Sequence, residues 1–246
     1  MAITLNKVGN ATSANGAEIP AFDPASKRLY VVAGNTIDVY TVGSTGALTA
    51  AGQIVPGFTV VAGQEILPNS VAVKNGIVAV AYAIRTTALG TQQAGRVSFY
   101  TAATGAFLNS VEVGFLPDML TFTADGTKVL VANEGEPNEN YTVDPEGSIS
   151  IISIPASGVA NATVQNVNFN SFNSQLAALK TAGVRIIGDR TIAGASVLTT
   201  VSQDLEPEYI AIAPDGKTAT ITLQENNAIA FLNLDSATPS IKLIGI

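Results

Sequence analysis

One pattern of strands and turns recurs four times along the chain. A polar or Pro-containing lead-in precedes a strand, a tight turn and a second strand, and a third strand follows. The turns read DPASK, KNG, ADGTK and PDGK, and the repeats cover roughly 18–60, 69–113, 116–154 and 205–246. Asp-Gly and Asn-Gly pairs are typical of β-hairpins, because glycine adopts a positive φ without steric cost. The sequence therefore predicts a series of similar antiparallel units.

Units of three to four strands repeated around an axis predict an all-β chain with the β-propeller fold. A β-sandwich is the main alternative, but it would not need the same hairpin at equivalent places in successive units. We predict one domain over 1–246. The strand aromatics are expected to fill the cores between blades: Phe22, Tyr30, Tyr40, Phe99, Tyr100, Phe122 and Phe231.

The number of repeats is low for a closed propeller. Propellers typically close with four to eight blades, so four repeats are the minimum. The chain also stops directly after a strand-like segment. We therefore expect the N-terminal part of a larger propeller, whose open blade edges could support self-association.

Residues 155–204 interrupt the repeats and contain SQLAALKTAGVRI, the one convincing helix. We predict this helix near 174–182, with Ser174 as its N-cap and Gly183 as its C-terminal stop. The following GDRTIAGASVLTTVSQD lacks periodicity and is expected to be a long loop. The whole segment is interpreted as an insertion between blades.

Composition excludes several kinds of chemistry. The chain has no cysteine and no histidine, which rules out disulfides, thiol catalysis and His-dependent triads, and zinc is not expected. Its net charge is −7 and only 13% of its residues are charged, with no basic stripe that could bind nucleic acid. A bound metal would need oxygen ligands, which favours calcium or magnesium.

Two features bear on location. The first ten residues, MAITLNKVGN, lack the basic and apolar regions of a signal peptide. The longest strongly apolar run, GIVAVAYAI at 76–84, is too short to span a bilayer, so no membrane insertion is expected.

Acidic residues are crowded into the stretch NEGEPNENYTVDPEGS at 133–148. It holds five of the 19 acidic residues of the chain and no Lys or Arg. DLEPEY and QENN in the fourth repeat occupy corresponding blade positions, so these side chains are expected to converge at the mouth of the central channel. The candidate metal ligands are Asp118, Glu134, Glu136, Glu206, Glu208 and Glu225.

Convergent carboxylates raise one another's pKa and need a compensating cation or donor. Calcium takes six to eight oxygens in flexible geometry, so we predict a Ca²⁺ site, with no organic cofactor. The alternative is that these acids cap turns or face water, which is the expected role of Asp125 and Asp215 inside their Asp-Gly turns. Three dispersed bases, Lys180, Arg185 and Arg190, indicate a solvated face more than an anion site.

The third and fourth repeats are similar to the YVTN type of propeller repeat. LPDMLTFTADGTKVLVANEGEPNENYTVDPEGSISI and LEPEYIAIAPDGKTATITLQENNAIAFLNL resemble the choice-of-anchor I family of bacterial propeller proteins, as does the intervening LAALKTAGVRI. The resemblance implies an extracellular or cell-surface protein, in a family whose members are generally longer and are joined to diverse anchoring or calcium-binding modules. Some members are described as alkaline phosphatases.

Two functions follow from these observations. The first is a secreted or cell-surface module, stabilised by calcium, that binds cell-surface or matrix components or supports surface assembly without catalysis. The alternative is a metal-dependent phosphomonoesterase that uses a carboxylate-lined channel. That alternative lacks substrate-binding bases near the acidic motifs in sequence, and no catalytic residue can be assigned.

Overall fold

Sixteen strands form four four-stranded antiparallel sheets, each of which follows chain order from its inner to its outer strand. The computed structural model describes Thr4 and residues 7–192 and 194–246. Blade 1 contains β1 (Pro20–Asp23), β2 (Arg28–Ala33), β3 (Thr36–Val42) and β4 (Leu48–Ile54), and blade 2 contains β5 (Gln64–Lys74), β6 (Ile77–Thr86), β7 (Gln92–Thr101) and β8 (Phe107–Phe115). Blade 3 contains β9 (Pro117–Phe122), β10 (Lys128–Asn133), β11 (Ser148–Ser153) and β12 (Thr163–Asn168). Blade 4 contains β15 (Ile210–Ile212), β16 (Thr218–Leu223), β17 (Ala228–Asn233) and β18 (Ser240–Gly245).

The inner hairpin of each blade closes where the sequence predicts a turn. Gly126 and Gly216 take φ values of 76° and 69°, which favour glycine over other residues. Asp125 accepts hydrogen bonds from Thr123 and Thr127, and these bonds lower the pKa of its carboxyl to about 2. The expected role of Asp125 as a turn former therefore agrees with the structure.

Alternating side chains join each central blade to its two neighbours. In β10, Val129 and Val131 belong to an apolar core shared with blade 2, whereas Leu130 and Ala132 belong to a core shared with blade 4. A third core joins blades 1 and 2. The second strand of each central blade, β6 or β10, is therefore buried on both sides, which explains its nearly continuous apolar sequence.

The prediction for the strand aromatics is wrong at two positions. Tyr30, Phe99 and Tyr100 are buried between blades as expected, but Phe22 and Phe231 are 47% and 41% exposed. Both lie on strands of the first or last blade, on the side turned away from the neighbouring blade. The periodicity identifies the apolar faces of a blade, but it does not reveal whether a neighbouring blade covers them.

The insertion begins later than the predicted residue 155. Strand β12 pairs along its full length with β11 and completes blade 3, so the segment between blades runs from 169 to 209. A 3₁₀ helix (Asn170–Gln175) leads into α1 (Leu176–Thr181). Ser174 lies inside the 3₁₀ helix and is not an N-cap. Gly183 is the predicted stop, with φ of 91° and a hydrogen bond from Val184 N to Leu179 O of 3.0 Å.

The predicted long loop is partly ordered into regular structure. It forms a hairpin of β13 (Arg190–Ile192) and β14 (Ala195–Val197), followed by α2 (Val201–Asp204). Thr200 caps α2 in a capping box with Gln203, a local signal that the sequence contains. Within the described residues, no helix has the length and apolar character needed to cross a membrane.

Candidate functional site

The longest connections lie at one end of blades 3 and 4. At this end of blade 3, the last residue of the second strand, Asn133, pairs with both Pro117 and Ser148. This end of a blade therefore contains the start of the inner strand and the loop that follows the second strand. The 134–147 loop and the 169–209 segment both leave from it. The opposite end of the inner hairpins has only short turns. We call the elaborated end the loop face, and ligand sites are commonly built from such loops on a rigid scaffold.

Each blade places one oxygen-bearing side chain where its inner strand reaches the loop face. Asp118 and Asn69 occupy equivalent β-bulges in β9 and β5. Glu18 and Glu208 take the same place in blades 1 and 4, and the backbone N–H of each donates to the second strand over 3.0 Å. Bulges of this kind often redirect side chains next to functional sites.

Three predicted ligands come within coordination distance of one another. One carboxylate oxygen from each of Glu134, Glu208 and Glu225 lies within 4.8 Å of the other two. Glu134 continues the face of β10 that turns toward blade 4, after Leu130 and Ala132. Since Ca²⁺–oxygen bonds are about 2.3–2.6 Å, two ligands on one ion lie up to about 5 Å apart, and this triad fits.

Backbone strain helps to fix Glu134. Its N–H donates to Leu116 O over 2.9 Å, and Leu116 is the single residue between β8 and β9. Leu116 has φ of 48°, an unfavourable value for a residue of its size. Such strain persists where the surrounding structure enforces it, and here it lies two residues before Asp118.

The other predicted ligands surround the triad. Glu136 and Glu206 line a cleft of about 360 Å³, which Glu225 also lines. Asp118 is close enough to Glu134, Glu136 and Glu208 to interact with them electrostatically. All six residues proposed from sequence therefore lie in one acidic region, with three of them in direct coordination range.

Burial and mutual repulsion make these carboxyls difficult to ionise. Burial, with the charges of Glu136 and Asp118, raises the pKa of Glu134 to about 9. Burial, with the charges of Glu136 and Glu225, raises the pKa of Glu206 to about 8. The pKa values of Asp118 and Glu208 are raised for the same reasons. A bound cation would relieve this repulsion.

Asn226 is the buried junction of this region. Its Nδ2 donates to Arg185 O (3.0 Å) and Asp204 O (2.6 Å), and its Oδ1 accepts from Glu206 N (3.1 Å). The side chain is 2% exposed. It therefore ties the β16–β17 loop, which carries Glu225, to two parts of the insertion.

The 134–147 loop also contacts blade 2. Asn138 Nδ2 donates to Thr91 Oγ1 (3.2 Å), and Glu139 N donates to Leu89 O (3.3 Å). Asn138 is 2% exposed and also accepts from Thr142 N through its Oδ1. The loop that carries Glu134 is thus held against the β6–β7 hairpin.

The sequence favoured a solvated face over a site for the three bases near the inserted helix. Arg185 and Arg190 line the cleft, whereas Lys180 is exposed on α1. Arg190 Nη2 pairs with the buried Asp204 over 2.9 Å, and its guanidinium lies 5.2 Å from the centre of the Tyr141 ring. The solvated-face prediction is therefore wrong for Arg190, because the path of the insertion brings it under the 134–147 loop.

Asp144 lies beside this ion pair. Both of its carboxylate oxygens are buried and have no hydrogen-bond partner among the residues that the structure describes. Burial raises the pKa of Asp144 to about 6. The charge of Asp204 also raises this pKa, whereas the charge of Arg190 lowers it. Only the acidic character of the 133–148 stretch could have drawn attention to it from sequence.

These features define the class of protein: a β-propeller with an acidic cleft on its loop face. The sequence matches the choice-of-anchor I domain over residues 18–245, and the chain belongs to that family. Domains of this family are typical of extracellular and cell-surface proteins. No curated protein matches the sequence.

Solved structures show the same fold at low identity. A functionally unknown protein from Desulfotomaculum acetoxidans is 10% identical, with a TM-score of 0.56 over 96% of this chain and 58% of its own. The periplasmic gluconolactonase of Pseudomonas aeruginosa is 13% identical, with a TM-score of 0.54 over 96% of this chain and 59% of its own. A Lactobacillus plantarum protein is 14% identical, with a TM-score of 0.54 over 92% and 56%. The chain thus spans 56–59% of the length of these structures.

Proposed function

We propose that the loop face binds a calcium ion that joins blades 3 and 4, and that the protein is an extracellular propeller module for binding or surface assembly. The observation that carries the proposal is the convergence of Glu134, Glu208 and Glu225 within 4.8 Å. One ligand comes from the 134–147 loop of blade 3, one lies two residues before β15, and one lies in the β16–β17 loop of blade 4. A single ion would therefore connect segments that are far apart in sequence.

The charges around the three carboxylates favour a bound cation over a cluster that is only solvated. Among the described residues, the ion pairs are Arg85–Glu65, Arg190–Asp204 and Lys217–Asp235, so no member of the triad has a basic partner. Three carboxylates supply three to six oxygens, and Glu206 or water could complete the six to eight that calcium takes. Magnesium fits less well, because it requires near-ideal octahedral geometry and retains its water.

Removing one ligand is expected to weaken calcium binding about 100-fold, because affinity depends on the number of charged ligands. The test is isothermal titration of calcium into the wild type and into Glu208→Gln. Glutamine keeps the side-chain size and removes the charge. Glu139→Gln in the exposed part of the same loop is the matched control and should bind like wild type. Equal affinity in wild type and Glu208→Gln would contradict the proposal.

A binding or assembly role is supported by the family, whose domains are typical of extracellular and cell-surface proteins. The cleft of about 360 Å³ falls in the size range of small-ligand sites. Exposed Glu136 and Glu225 on its wall would let a bound ion contact a partner at the surface. Cell-surface or matrix components that carry metal-binding groups are the partners that this arrangement suits.

A second candidate is the metal-dependent phosphomonoesterase, which the position of Arg185 favours. Arg185 lines the cleft and is exposed, and its one side-chain hydrogen bond to the described residues runs from Nη1 to Glu225 O over 3.0 Å. Its remaining donors could hold an anionic phosphoryl group beside the triad. A bound metal would supply charge neutralisation and an activated water.

The enzymatic candidate is tested by hydrolysis of p-nitrophenyl phosphate with calcium over a range of pH. If it is correct, Arg185→Gln should lower kcat/KM about 100-fold, the order of effect found for removing one charge-stabilising donor. Lys180→Gln, on the exposed side of α1, should have no effect. Absence of turnover in the wild type would remove this candidate and leave the calcium proposal untouched.

A further inference from the structure

The second half of the 134–147 loop is fixed to one short helix of the insertion. Gln203 Nε2 donates to Asp144 O over 2.6 Å. Gly147 N donates to Ser202 O over 3.2 Å. Both partners in the insertion belong to α2, so the end of the loop follows the position of that helix.

Arg190, at the start of the β13–β14 hairpin, contacts the middle of the same loop. Its guanidinium lies 5.2 Å from the centre of the Tyr141 ring, and a guanidinium within about 6 Å of an aromatic ring is attracted to it. Tyr141 has φ of 56°, an uncommon value for a residue with a side chain of this size. Such a conformation persists where surrounding contacts enforce it, and the stacking on Arg190 is one of these contacts.

The same guanidinium binds the residue that leads to the blade 4 ligands. Arg190 Nη2 pairs with Asp204 Oδ1 over 2.9 Å, and the two side chains are 20% and 5% exposed. Asp204 Oδ2 accepts from Ile187 N, and Asp204 O accepts from Asn226 Nδ2 over 2.6 Å. Asn226 directly follows Glu225 in the chain. Arg190 is therefore connected to both segments that supply the proposed metal ligands.

One base here compensates two buried acids. Burial raises the pKa of Asp144, and the charge of Arg190 lowers it. The carboxylate oxygens of Asp144 and the Nε of Arg190 are buried and have no hydrogen-bond partner among the described residues. Without the charge of Arg190, Asp144 and Asp204 would lose this compensation, and a buried uncompensated charge is strongly destabilising. The loop and the insertion are then expected to separate locally.

We propose that Arg190 is a positioning residue for the loop face: it clamps the 134–147 loop onto the insertion and thereby sets the separation of Glu134 and Glu225. The clamp is defined by the contacts above, and its effect on metal binding rests on the proposed calcium site. Arg190 is not a member of the triad. Its charge alone would oppose a nearby cation, so a loss of affinity on removing that charge is the signature of positioning.

Hydrogen exchange of the metal-free protein measures the clamp independently of calcium. Tyr141→Leu removes the aromatic face and leaves every charge in place, so it should speed exchange within residues 138–147 about 10-fold. Tyr141→Phe keeps the ring and should exchange like wild type. Exchange in Tyr141→Leu equal to that of wild type would overturn the clamp.

Calcium titration measures the consequence for the site. Arg190→Met should weaken binding about 10-fold, the lower end of the effect found for outer-shell groups around metal sites. Arg190→Lys keeps the charge without the planar face and should restore binding only in part. Tyr141→Leu, which disturbs the fold least, should weaken binding about 3-fold.

Arg85→Met is the matched control for the titration. It removes the arginine of the exposed Arg85–Glu65 pair, and its calcium affinity should equal that of wild type. An affinity in Arg190→Met equal to or tighter than that of wild type would overturn the positioning role. If the wild type binds no calcium, the proposed function fails, and the exchange result alone decides whether Arg190 clamps the loop.

Discussion

Without divalent cations, the melting temperature is expected to fall as the pH rises from about 4.5 to about 9, and saturating calcium should remove most of that fall. The cause is the burial of Glu134 and Glu206 among other carboxyls. Their pKa values are raised from the usual 4.5 to about 9 and about 8. Both groups are therefore protonated in the folded metal-free protein near neutral pH.

The direction follows from proton linkage. Below pH 4.5 the folded and unfolded states both hold these protons, and the contribution of these two groups to stability is greatest. As the pH rises, the unfolded chain releases them while the folded chain keeps them, so the folded state is progressively disfavoured until the pH passes about 8 and then about 9. Calcium binds the ionised carboxylates, so its stabilising effect should increase over the same range.

The measurement is a series of thermal melts from pH 5 to pH 9 with chelator or with calcium. Calcium at about 100 times its Kd adds ~2.7 kcal/mol, which corresponds to roughly 5–10 °C for a chain of this size. The double variant Glu134→Gln, Glu206→Gln is the control, and its melting temperature should vary much less with pH. A chelated wild type that becomes more stable toward pH 9 would contradict the predicted electrostatics.

Replacing Asn226 by leucine is expected to lower the free energy of unfolding by roughly 2–4 kcal/mol, because one buried and two part-buried backbone groups would lose their hydrogen-bond partner. These groups are Arg185 O, Asp204 O and Glu206 N–H. Leucine has a similar size, so the loss would be one of hydrogen bonding. Calcium affinity should also fall, because Asn226 adjoins Glu225 and holds the backbone of Glu206.

Urea unfolding and calcium titration measure the two effects of Asn226→Leu. Gln224→Leu, at an exposed position of the same loop, is the control and should change stability by less than about 0.5 kcal/mol. Unfolding free energy within about 0.5 kcal/mol of wild type in Asn226→Leu would show that the loop and the insertion are held together by other contacts.

The parts of the fold that sequence predicted are those with local causes. Asp125 and Gly126 encode a turn by themselves, and alternation along β10 gives its two buried faces. The insertion was predicted less well. Its 3₁₀ helix packs through Phe172 against the core of blades 3 and 4, and the short β13–β14 hairpin lies beside the 134–147 loop, so both depend on tertiary contacts more than on propensity.

The sequence predicted those residues of the candidate site that lie at equivalent positions in the repeats. Glu134 and Glu208 follow from their places in blades 3 and 4, and aligning the turns would also have found Glu18 and Asn69. Arg190 and its partner Asp204 could not be placed in this way. Both lie in the insertion, whose path has no counterpart in the other repeats.

The contact between the 134–147 loop and blade 2 affects how the domain unfolds. Asn138 and Glu139 bind the β6–β7 hairpin, Glu134 of the same loop reaches blade 4, and the loop begins and ends in blade 3. Simple repeat arrays gain stability mainly from neighbouring units and can lose terminal units one at a time. Here one segment links three successive blades, so blades 2 to 4 are expected to melt as a single cooperative unit.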